Sequence, residues 1–246
     1  MRYYIFMMFL VLLLSTKAEA QKSNNRITQV IKAESSPVID GYKKDGCWKE
    51  AQWYILDQKW LGNDYTKKDF KGRYKLTWTE EAIHLLVEIK DDILYDQYDD
   101  PKTLWWDDDC LEVFVDEDNS GGNHQFNHNA FAYHIALDNH VVDLGPDEKP
   151  HLYDDHIICK RRTKGNKSIW ELSVKLYDDQ FVDGSKNEAA ILSKDKKIGF
   201  ALAYCDNDES KERENFIGSE VVEGEDKNRG WIDGGIFGTL ILVKSE

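Results

Sequence analysis

Residues 103–118 read TLWWDDDCLEVFVDED, so two adjacent tryptophans and two acidic clusters surround one short apolar run. The run at 110–116 is short and rich in β-branched and aromatic residues, which favours a β-strand over a helix. The aspartates on either side are typical turn formers. This stretch therefore predicts a strand with tryptophans and carboxylates at its ends.

Similar strand-like runs continue along the chain, separated by turn residues, and few segments favour a helix. The further predicted strands are 72–78, 82–90, 129–137, 140–145, 156–162, 168–176, 197–208 and 237–243, with short helical turns near 45–52 and 177–181. Many short strands at this spacing indicate an all-β fold, an antiparallel β-sandwich of immunoglobulin-like or jelly-roll type. We expect a single domain over residues 36–246, preceded by a polar leader or first strand at 21–35.

The first 20 residues have the pattern of a cleaved secretory signal peptide. Arg2 precedes a ten-residue apolar run at 5–14, and Ala18-Glu19-Ala20 forms a small-x-small cleavage signal. Ten residues are too few to span a bilayer as a helix, and the absence of a cysteine at the cleavage point argues against a lipoprotein anchor. We therefore expect an exported protein without a membrane span, either periplasmic or secreted.

The charge balance excludes some partners. Removing 20 of 246 residues leaves 226, with 30 basic side chains (32 less two) and 45 acidic ones (46 less one). A net charge near −15 repels nucleic acid and anionic membranes. The four cysteines, Cys47, Cys110, Cys159 and Cys205, lack any CxxC spacing, and most lie in apolar strands, so we expect buried unpaired thiols.

Hydrolytic chemistry finds little support in the sequence. Glu112 and Asp116 are the nearest carboxylate pair, but four residues of strand separate them by about 13 Å, too far for either glycosidase geometry. The chain has no GxSxG, HExxH or glycine-rich phosphate loop. We therefore do not predict an enzyme.

Two metal hypotheses remain open. Asp109, Asp116, Asp118 and Asp206 belong to oxygen-rich clusters at strand ends, which suit either a structural calcium ion or solvated turns. A group of histidines, His124, His128 and His134, could instead ligate a transition metal or haem.

The tryptophans point to a different ligand, because an indole can cover the apolar face of a sugar ring while carboxylates and amides bind its hydroxyls. Trp105, Trp106 and Trp231 lie in predicted loops that packing does not explain, and Glu112 lies on the adjoining strand. The other tryptophans considered fall in apolar periodic runs and are expected in the core: Trp48, Trp53, Trp78 and Trp170.

Six segments in order resemble family 9 carbohydrate-binding modules over about residues 36–244. They are PVIDGYKKDGCWKEA (37–51), YKLTWTEEAIHLLVEIKDD (74–92), WDDDCLEVFVDEDN (106–119), SIWELSVKL (168–176), KIGFALAYCDND (197–208) and WIDGGIFGTLILV (231–243). The resemblance implies a non-catalytic sandwich that binds mono-, oligo- or polysaccharides between two tryptophans, often at a chain end, with calcium supporting the fold. It also implies a role in polysaccharide use, or as the accessory domain of a glycoside hydrolase.

The same resemblance assigns roles to individual residues. Trp106 and Trp231 resemble the stacking platforms, while Glu112 and Asn228 resemble the groups that bind ring hydroxyls. This chain departs from the family pattern at His134, where a basic or amide side chain is common. It also departs at small pocket-side residues in 197–208 and at the insertion 121–129. The runner-up is a haem- or metal-binding sandwich of the same fold.

Overall fold

The computed structural model describes residues 26–244, so the predicted signal peptide lies outside the described residues. The strands are β1 (Ile27–Ile31), β2 (Tyr54–Leu56), β3 (Gln58–Gly62), β4 (Lys71–Trp78), β5 (Ile83–Lys90), β6 (Cys110–Asp116), β7 (Phe131–Ala136), β8 (Val141–Leu144), β9 (Pro150–Leu152), β10 (Ile157–Lys164), β11 (Lys167–Val174), β12 (Lys197–Asp206), β13 (Asn215–Gly218) and β14 (Gly238–Val243). Helical structure is limited to α1 (Cys47–Glu50) and two 3₁₀ turns, Arg229–Trp231 and Gly234–Ile236, in this part of the chain. None of the helices described is long and apolar enough to cross a membrane.

The strands form two sheets. The nine-stranded sheet runs β1-β14-β12-β6-β7-β8-β9, with β13 and β3 continuing beside β12, and the five-stranded sheet runs β10-β11-β5-β4-β2. The named strands pair antiparallel except for β1 and β14, which are parallel. The all-β sandwich predicted from the sequence is confirmed.

The hydrophobic core lies between the sheets. Successive side chains of a strand point to opposite faces, so β6 sends Leu111, Val113 and Val115 into this core. Trp78 and Trp170 enter it from the five-stranded sheet, each at most 1% exposed. Burying a large apolar side chain contributes about 1.5–3 kcal/mol, and the core cluster contains many such residues.

The opposite face of β6 is also covered, so that every residue of this strand is buried. Cys110 and Phe114 join a second cluster with Ala132 on β7 and with Ala201 and Ala203 on β12. This second cluster lies on the outer face of the nine-stranded sheet. It explains why the predicted strand at 110–116 reads as apolar without strict alternation.

A glycine allows one tryptophan to support this outer face. Trp60 lies against the rings of Phe114 and Phe216, with centroids 6.0 and 5.1 Å away. A Cβ at Gly218 would lie 2.1 Å from the Trp60 ring, so any larger residue would displace the indole. Trp60 Nε1 also donates a hydrogen bond to the Glu220 carbonyl at 2.8 Å, which holds the indole in this orientation.

Four local predictions can be compared with the structure. The helical turn near 45–52 is confirmed as α1, and all four cysteines are free thiols, of which Cys110 and Cys205 are buried and Cys47 and Cys159 half-buried. The prediction of a helical turn at 177–181 was wrong. The backbone makes a single hydrogen-bonded turn there, from Phe181 N to Asp178 O, because Tyr177 and Phe181 both pack on His156. Of the two alternatives for 21–35, a polar leader or a first strand, the described residues form a strand, β1 at Ile27–Ile31.

The tryptophans expected in the core are there with one exception. Trp48, Trp78 and Trp170 are at most 2% exposed. Trp53 was wrongly placed in the core, because it is only half-buried and packs beneath two cations. The Arg73 guanidinium carbon lies 4.1 Å from its ring centroid and the Lys75 ammonium 4.9 Å.

Candidate ligand-binding cleft

A cleft of about 410 Å³ opens on the outer face of the nine-stranded sheet. Its lining comes from β6, β7, β8, β9 and β13 and from neighbouring loops: Trp105, Trp106, Glu112, Phe114, His124, Gln125, His134, Asp143, Leu144, Glu148, Pro150, Arg213, Phe216, Asn228 and Trp231. All six residues predicted to contact a ligand are in this set. Volume and lining are typical of a small-molecule site, with apolar walls and a few convergent polar groups.

Trp106 and Trp231 both line the cleft and are half-buried, each packed against the second cluster. Trp231 is the last residue of a 3₁₀ turn. Its ring centroid lies 6.5 Å from that of Phe126, a residue of the 121–129 insertion, in an edge-to-face arrangement. Trp105 is 9% exposed and lies edge-on to Trp106, with ring centroids 4.8 Å apart. Trp105 therefore supports Trp106 from behind, while the other two indoles offer the larger accessible surfaces.

Glu112 is the buried charge at the base of the cleft, with only 2% of the residue exposed. Its Oε1 lies 2.8 Å from His134 Nε2 and 3.4 Å from Arg213 Nη1, and it accepts from Cys205 Sγ at 3.0 Å. Burial alone would raise the pKa of Glu112, but His134 and Arg213 outweigh it and lower that pKa. The carboxylate is therefore held ionised, ready to accept hydrogen bonds.

The register of three strands explains this arrangement. Glu112 is opposite His134 on β7 and opposite Ala203 on β12. Ala201 and Ala203 on β12 are buried in the second cluster. Arg213 reaches Glu112 from the loop between β12 and β13, and its Nη1 also contacts Cys205 Sγ at 3.0 Å.

Arg213 is the main residue that the sequence did not predict. It lies in the run DNDESKEREN (206–215), which reads as a solvated charged loop, and no periodic signal distinguishes it. Phe114 could have been found, because it is two residues from Glu112 and so shares its face of β6. Phe216 gives no such signal; it enters the cleft because β13 pairs with β12 opposite Cys205.

The histidines do not form a common metal or haem site. His124 Nε2 contacts the Gly230 carbonyl at 2.8 Å, and His128 Nε2 lies 3.1 Å from Asp183 Oδ2. His134 pairs with Glu112 instead. Three groups of closely spaced ligand atoms occur among residues 26–244, and none includes a histidine.

One of these groups consists of Asp91, Asp109 and Asp206, whose ligand oxygens lie within 4.8 Å of one another. All three are at most 3% exposed. Burial raises the pKa of each carboxyl, and the mutual repulsion with Asp91 raises the pKa of Asp109 and Asp206 further. This donor set fits a hard divalent cation such as calcium, which would replace the missing positive charge.

The predicted aspartates do not all belong to this group. Asp109 and Asp206 do, together with Asp91, which the sequence analysis overlooked because it reads as part of a turn. Asp116 and Asp118 lie at the far end of β6, about 23 Å from Asp109 by strand rise. There the Gly121 amide donates to Asp116 Oδ2 at 2.7 Å, while the buried Asp116 Oδ1 has no hydrogen-bond partner within the described chain.

The fold is an all-β sandwich with a cleft on the outer face of its nine-stranded sheet. Two solved structures of a family 9 carbohydrate-binding module from Caldicellulosiruptor kristjanssonii, in complex with cellotriose and with glucose, match with TM-scores of 0.67 and 0.63 at 20% and 19% identity. The matches cover 90% of this chain and 95% and 97% of those chains. A putative carbohydrate-binding protein from Bacteroides uniformis matches with a TM-score of 0.53 at 13% identity, covering 89% of this chain and 99% of that one.

Residues 39–245 match the family described as carbohydrate family 9 binding domain-like, and the chain belongs to this family. It is also 24% identical to endo-1,4-beta-xylanase A of Thermotoga neapolitana and to endo-1,4-beta-xylanase C of Paenibacillus barcinonensis. These matches cover 94% and 85% of this chain but 20% and 17% of the xylanases, so the chain spans about a fifth of the length of these curated relatives.

Proposed function

We propose that the protein is a non-catalytic sugar-binding module that holds a pyranose ring against Trp106 and Trp231. The observation that carries this proposal is the shared cleft: two loop tryptophans and a buried, ionised Glu112 line one cavity of about 410 Å³. The similar structures from Caldicellulosiruptor kristjanssonii hold cellotriose and glucose, which supports the same ligand class here.

The chemistry of the lining suits a sugar. An indole face matches the C–H face of a pyranose, and the ionised Glu112 accepts from ring hydroxyls. Asn228, half-buried at the cleft wall, supplies an amide. An aromatic pair is worth about 0.5–1.5 kcal/mol beyond the area it buries, so we expect dissociation constants from about a micromolar to a millimolar.

Calorimetric titration tests the proposal directly. The protein is titrated with glucose, xylose, cellobiose and xylobiose, beside a Trp231→Ala variant. We expect at least one sugar to bind the wild type and the variant to lose about tenfold or more in affinity, because a stacking surface is gone. Trp53→Ala is the matched control, since Trp53 is a half-buried tryptophan that does not line the cleft.

Two results would contradict this assignment. The first is the absence of heat with all four sugars from a protein that still melts cooperatively. The second is equal loss in Trp231→Ala and Trp53→Ala, which would place the sugar elsewhere.

The absence of catalysis is part of the proposal. A glycosidase needs a protonated carboxyl as general acid beside a second carboxylate. Glu112 is held ionised by His134 and Arg213, which suits binding rather than proton donation. Incubation with aryl glucosides and xylosides should release no aryl alcohol, and release that stops in Glu112→Gln would overturn this part.

We also propose that the module is exported and serves polysaccharide breakdown, as an accessory to a glycoside hydrolase. Support comes from the signal-peptide pattern at residues 1–20 and from the xylanase relatives of much greater length. Export is tested by measuring the mass of the protein recovered outside the cytoplasm. We expect it to lack residues 1–20, and a cytoplasmic protein of full mass would contradict export.

A structural calcium ion at Asp91, Asp109 and Asp206 is a separate proposal, supported by the burial of three carboxylates without a basic partner among the ion pairs of residues 26–244. Adding calcium at about 100 times its dissociation constant should stabilise the fold by about 2.7 kcal/mol. We expect chelator to lower the melting temperature and calcium to restore it, with no response in Asp109→Asn. An unchanged melting temperature in the wild type would remove the proposal.

A further inference from the structure

The outer face of the five-stranded sheet carries a cross-strand row of four lysines. Lys164 on β10 lies opposite Lys167 on β11. Lys167 lies opposite Lys90 on β5, which in turn lies opposite Lys71 on β4. Ile89, one position before Lys90, belongs to the core cluster, and side chains alternate along a strand, so the lysine row points away from the core.

The sequence around the hairpin of β10 and β11 is unusually basic. Residues 160–167 read KRRTKGNK, which places five basic side chains in eight residues. Between Asp155 and Glu171 the chain has no acidic residue, although 46 of its 246 residues are acidic. A short run of this composition is typical of a surface that binds a polyanion such as heparin.

The fold makes little use of these charges. Lys71 and Lys164 are exposed, and neither they nor Lys90 forms an ion pair among residues 26–244. Lys90 Nζ donates instead to the backbone carbonyls of Lys67 and Lys68, at 3.3 and 3.1 Å. These ammonium groups therefore keep charge that no carboxylate of the described chain neutralises.

The adjacent row of the same face adds further positive charge. Its carboxylate, Glu88, is shared by three cations. Lys167 lies 2.8 Å from it, Arg73 2.7 Å and Lys43 3.0 Å. Arg162 extends this second row, because it is opposite the β11 residue that pairs with Glu88. The local charge is therefore positive on a protein whose net charge is negative.

A structural role does not explain the lysine row. Lysines on edge strands prevent pairing with other chains, but β10 is the only edge strand among the four that carry the row. Lys167, Lys90 and Lys71 lie on inner strands of the sheet. Like charges directly opposite one another destabilise a sheet, so the row reduces the stability of the fold.

We propose that the lysine row binds a linear acidic polysaccharide that carries a carboxylate on each sugar ring. Neighbouring strands lie about 4.7–4.9 Å apart, which is close to the length of one ring in an extended chain. Successive ammonium groups can therefore each meet one carboxylate, and the flexible lysine side chain adapts to its exact position. The site lies on the other sheet from the cleft, so it does not depend on the proposed cleft ligand.

Nucleic acids and membranes fit this surface less well. Single-stranded nucleic acid needs open aromatic faces for stacking, whereas Tyr42 is covered by the Arg162 guanidinium at 4.1 Å and the Lys44 ammonium at 5.2 Å. Just beyond the row, Asp92 pairs with Lys68 at 3.8 Å, so the positive surface is a narrow strip. At physiological salt, charges are screened beyond about 8 Å, which favours a thin chain in direct contact.

Calorimetric titration with oligogalacturonates of increasing length tests this inference, in calcium-free buffer because calcium cross-links polyuronates. We expect affinity to rise up to about four rings, one for each strand that carries a lysine, and then to level off. The logarithm of the binding constant should fall linearly with the logarithm of the salt concentration. Uncharged dextran should not compete.

Lys71→Gln/Lys164→Gln removes both exposed ends of the lysine row without adding negative charge. We expect this variant to lose about tenfold in affinity and its salt slope to fall by about two, one for each lysine removed. Its melting temperature should not decrease, because the substitutions relieve repulsion between like charges. A loss of affinity is therefore distinguishable from a folding defect.

Lys186→Gln/Lys194→Gln is the matched control, because it makes the same change in net charge at two exposed lysines of the loop between β11 and β12. That loop contacts the other end of the β4–β5 hairpin, where Leu192 N donates to Glu80 O at 2.8 Å. The control should bind oligogalacturonate as the wild type does.

Four outcomes would overturn the inference. The first is no binding of any oligogalacturonate, and the second is an equal loss in both double variants, which would leave only an effect of net charge. The third is binding of double-stranded DNA or anionic lipid vesicles as tightly as the oligogalacturonates. The fourth is release of the bound oligogalacturonate by excess cellobiose, which would place it in the cleft. Failure of neutral sugars to bind would instead contradict the proposed function and leave the lysine row untouched.

Discussion

Two buried glutamates, one on each sheet, have opposite environments. Glu171 lies on β11, with its side chain on the outer face of the five-stranded sheet, and it is 0% exposed. Glu112 lies on β6, on the outer face of the nine-stranded sheet, and it is 2% exposed. By burial alone the two cannot be told apart.

Their partners differ in charge. Glu171 accepts from Trp48 Nε1 at 2.8 Å and from the backbone amides of Asp40 and Gly41 at 3.1 and 2.9 Å, all of them neutral donors. Burial raises the pKa of Glu171 in spite of these bonds. Glu112 has His134 and Arg213 beside it, and its pKa is lowered.

The difference distinguishes Glu171, which anchors a covering segment, from Glu112, which lines the ligand-binding cleft. The donors to Glu171 come from a covering segment that the carboxylate holds in place, and that segment closes the face. Glu112 has the Arg213 guanidinium beside it and lines the cleft that opens on its face of the sheet. Glu171 therefore anchors the covering segment, whereas Glu112 lines the cleft beside a cationic side chain.

The largest expected effect is a loss of stability at the contact between Trp48 and Glu171 on the five-stranded sheet. Trp48→Ala removes an indole that is 2% exposed and the donor to Glu171, so the free energy of unfolding should fall by about 3–5 kcal/mol. Urea unfolding measures this loss. Sugar affinity measured below the unfolding transition should not change, and a large change there would mean that the two faces are coupled.

The next effect concerns the loss of unfolding free energy, relative to the wild type, in Glu171→Gln and in Glu112→Gln. This loss should depend on pH in opposite directions in the two variants. The pKa of Glu171 is raised, so its ionisation lowers wild-type stability as pH rises above about 4.3. The penalty of Glu171→Gln should therefore shrink toward neutral pH. The pKa of Glu112 is lowered, so its stabilisation is present above about 4.3 and lost as pH falls.

Urea unfolding of the three proteins at several pH values between about 3.5 and 7 checks both slopes. The penalty of Glu112→Gln should grow as pH rises from the acid end of this window and level off above about pH 5. Losses of stability that change with pH in the same direction in both variants would contradict the different roles assigned to Glu171 and Glu112.

The smallest effect concerns the thiol beside Glu112. Cys205→Ala removes one donor, at 3.0 Å, and should cost about 0.5–1.5 kcal/mol of stability because His134 and Arg213 remain. Cys159→Ala is a fitting control, since Cys159 is a half-buried thiol on the five-stranded sheet. Thermal unfolding of both variants compares them, and a loss above about 3 kcal/mol in Cys205→Ala would mean that the thiol has a larger role than hydrogen bonding.

Much of this architecture was accessible from the sequence because it depends on local pattern. Strand positions follow from apolar runs between turns, and the loop tryptophans stood out because no strand needed them. Arg213 and Asp91 were missed because their roles depend on strand register: Arg213 reaches the cleft where Cys205 pairs with Phe216, and Asp91 reaches Asp109 across the fold. Glu171 was not identified either, because the sequence does not reveal which segment covers a strand.

The double burial of β6 has a consequence for how the protein melts. Val113 packs in the core and Glu112 at the cleft, on adjacent positions of one strand, so the cleft cannot unfold while the core stays intact. Binding and global unfolding are then thermodynamically linked, and a ligand at a concentration equal to its dissociation constant adds about 0.4 kcal/mol of stability. A melting curve therefore serves as a binding assay for this module, and weak ligands can be ranked by the temperature at which the whole sandwich unfolds.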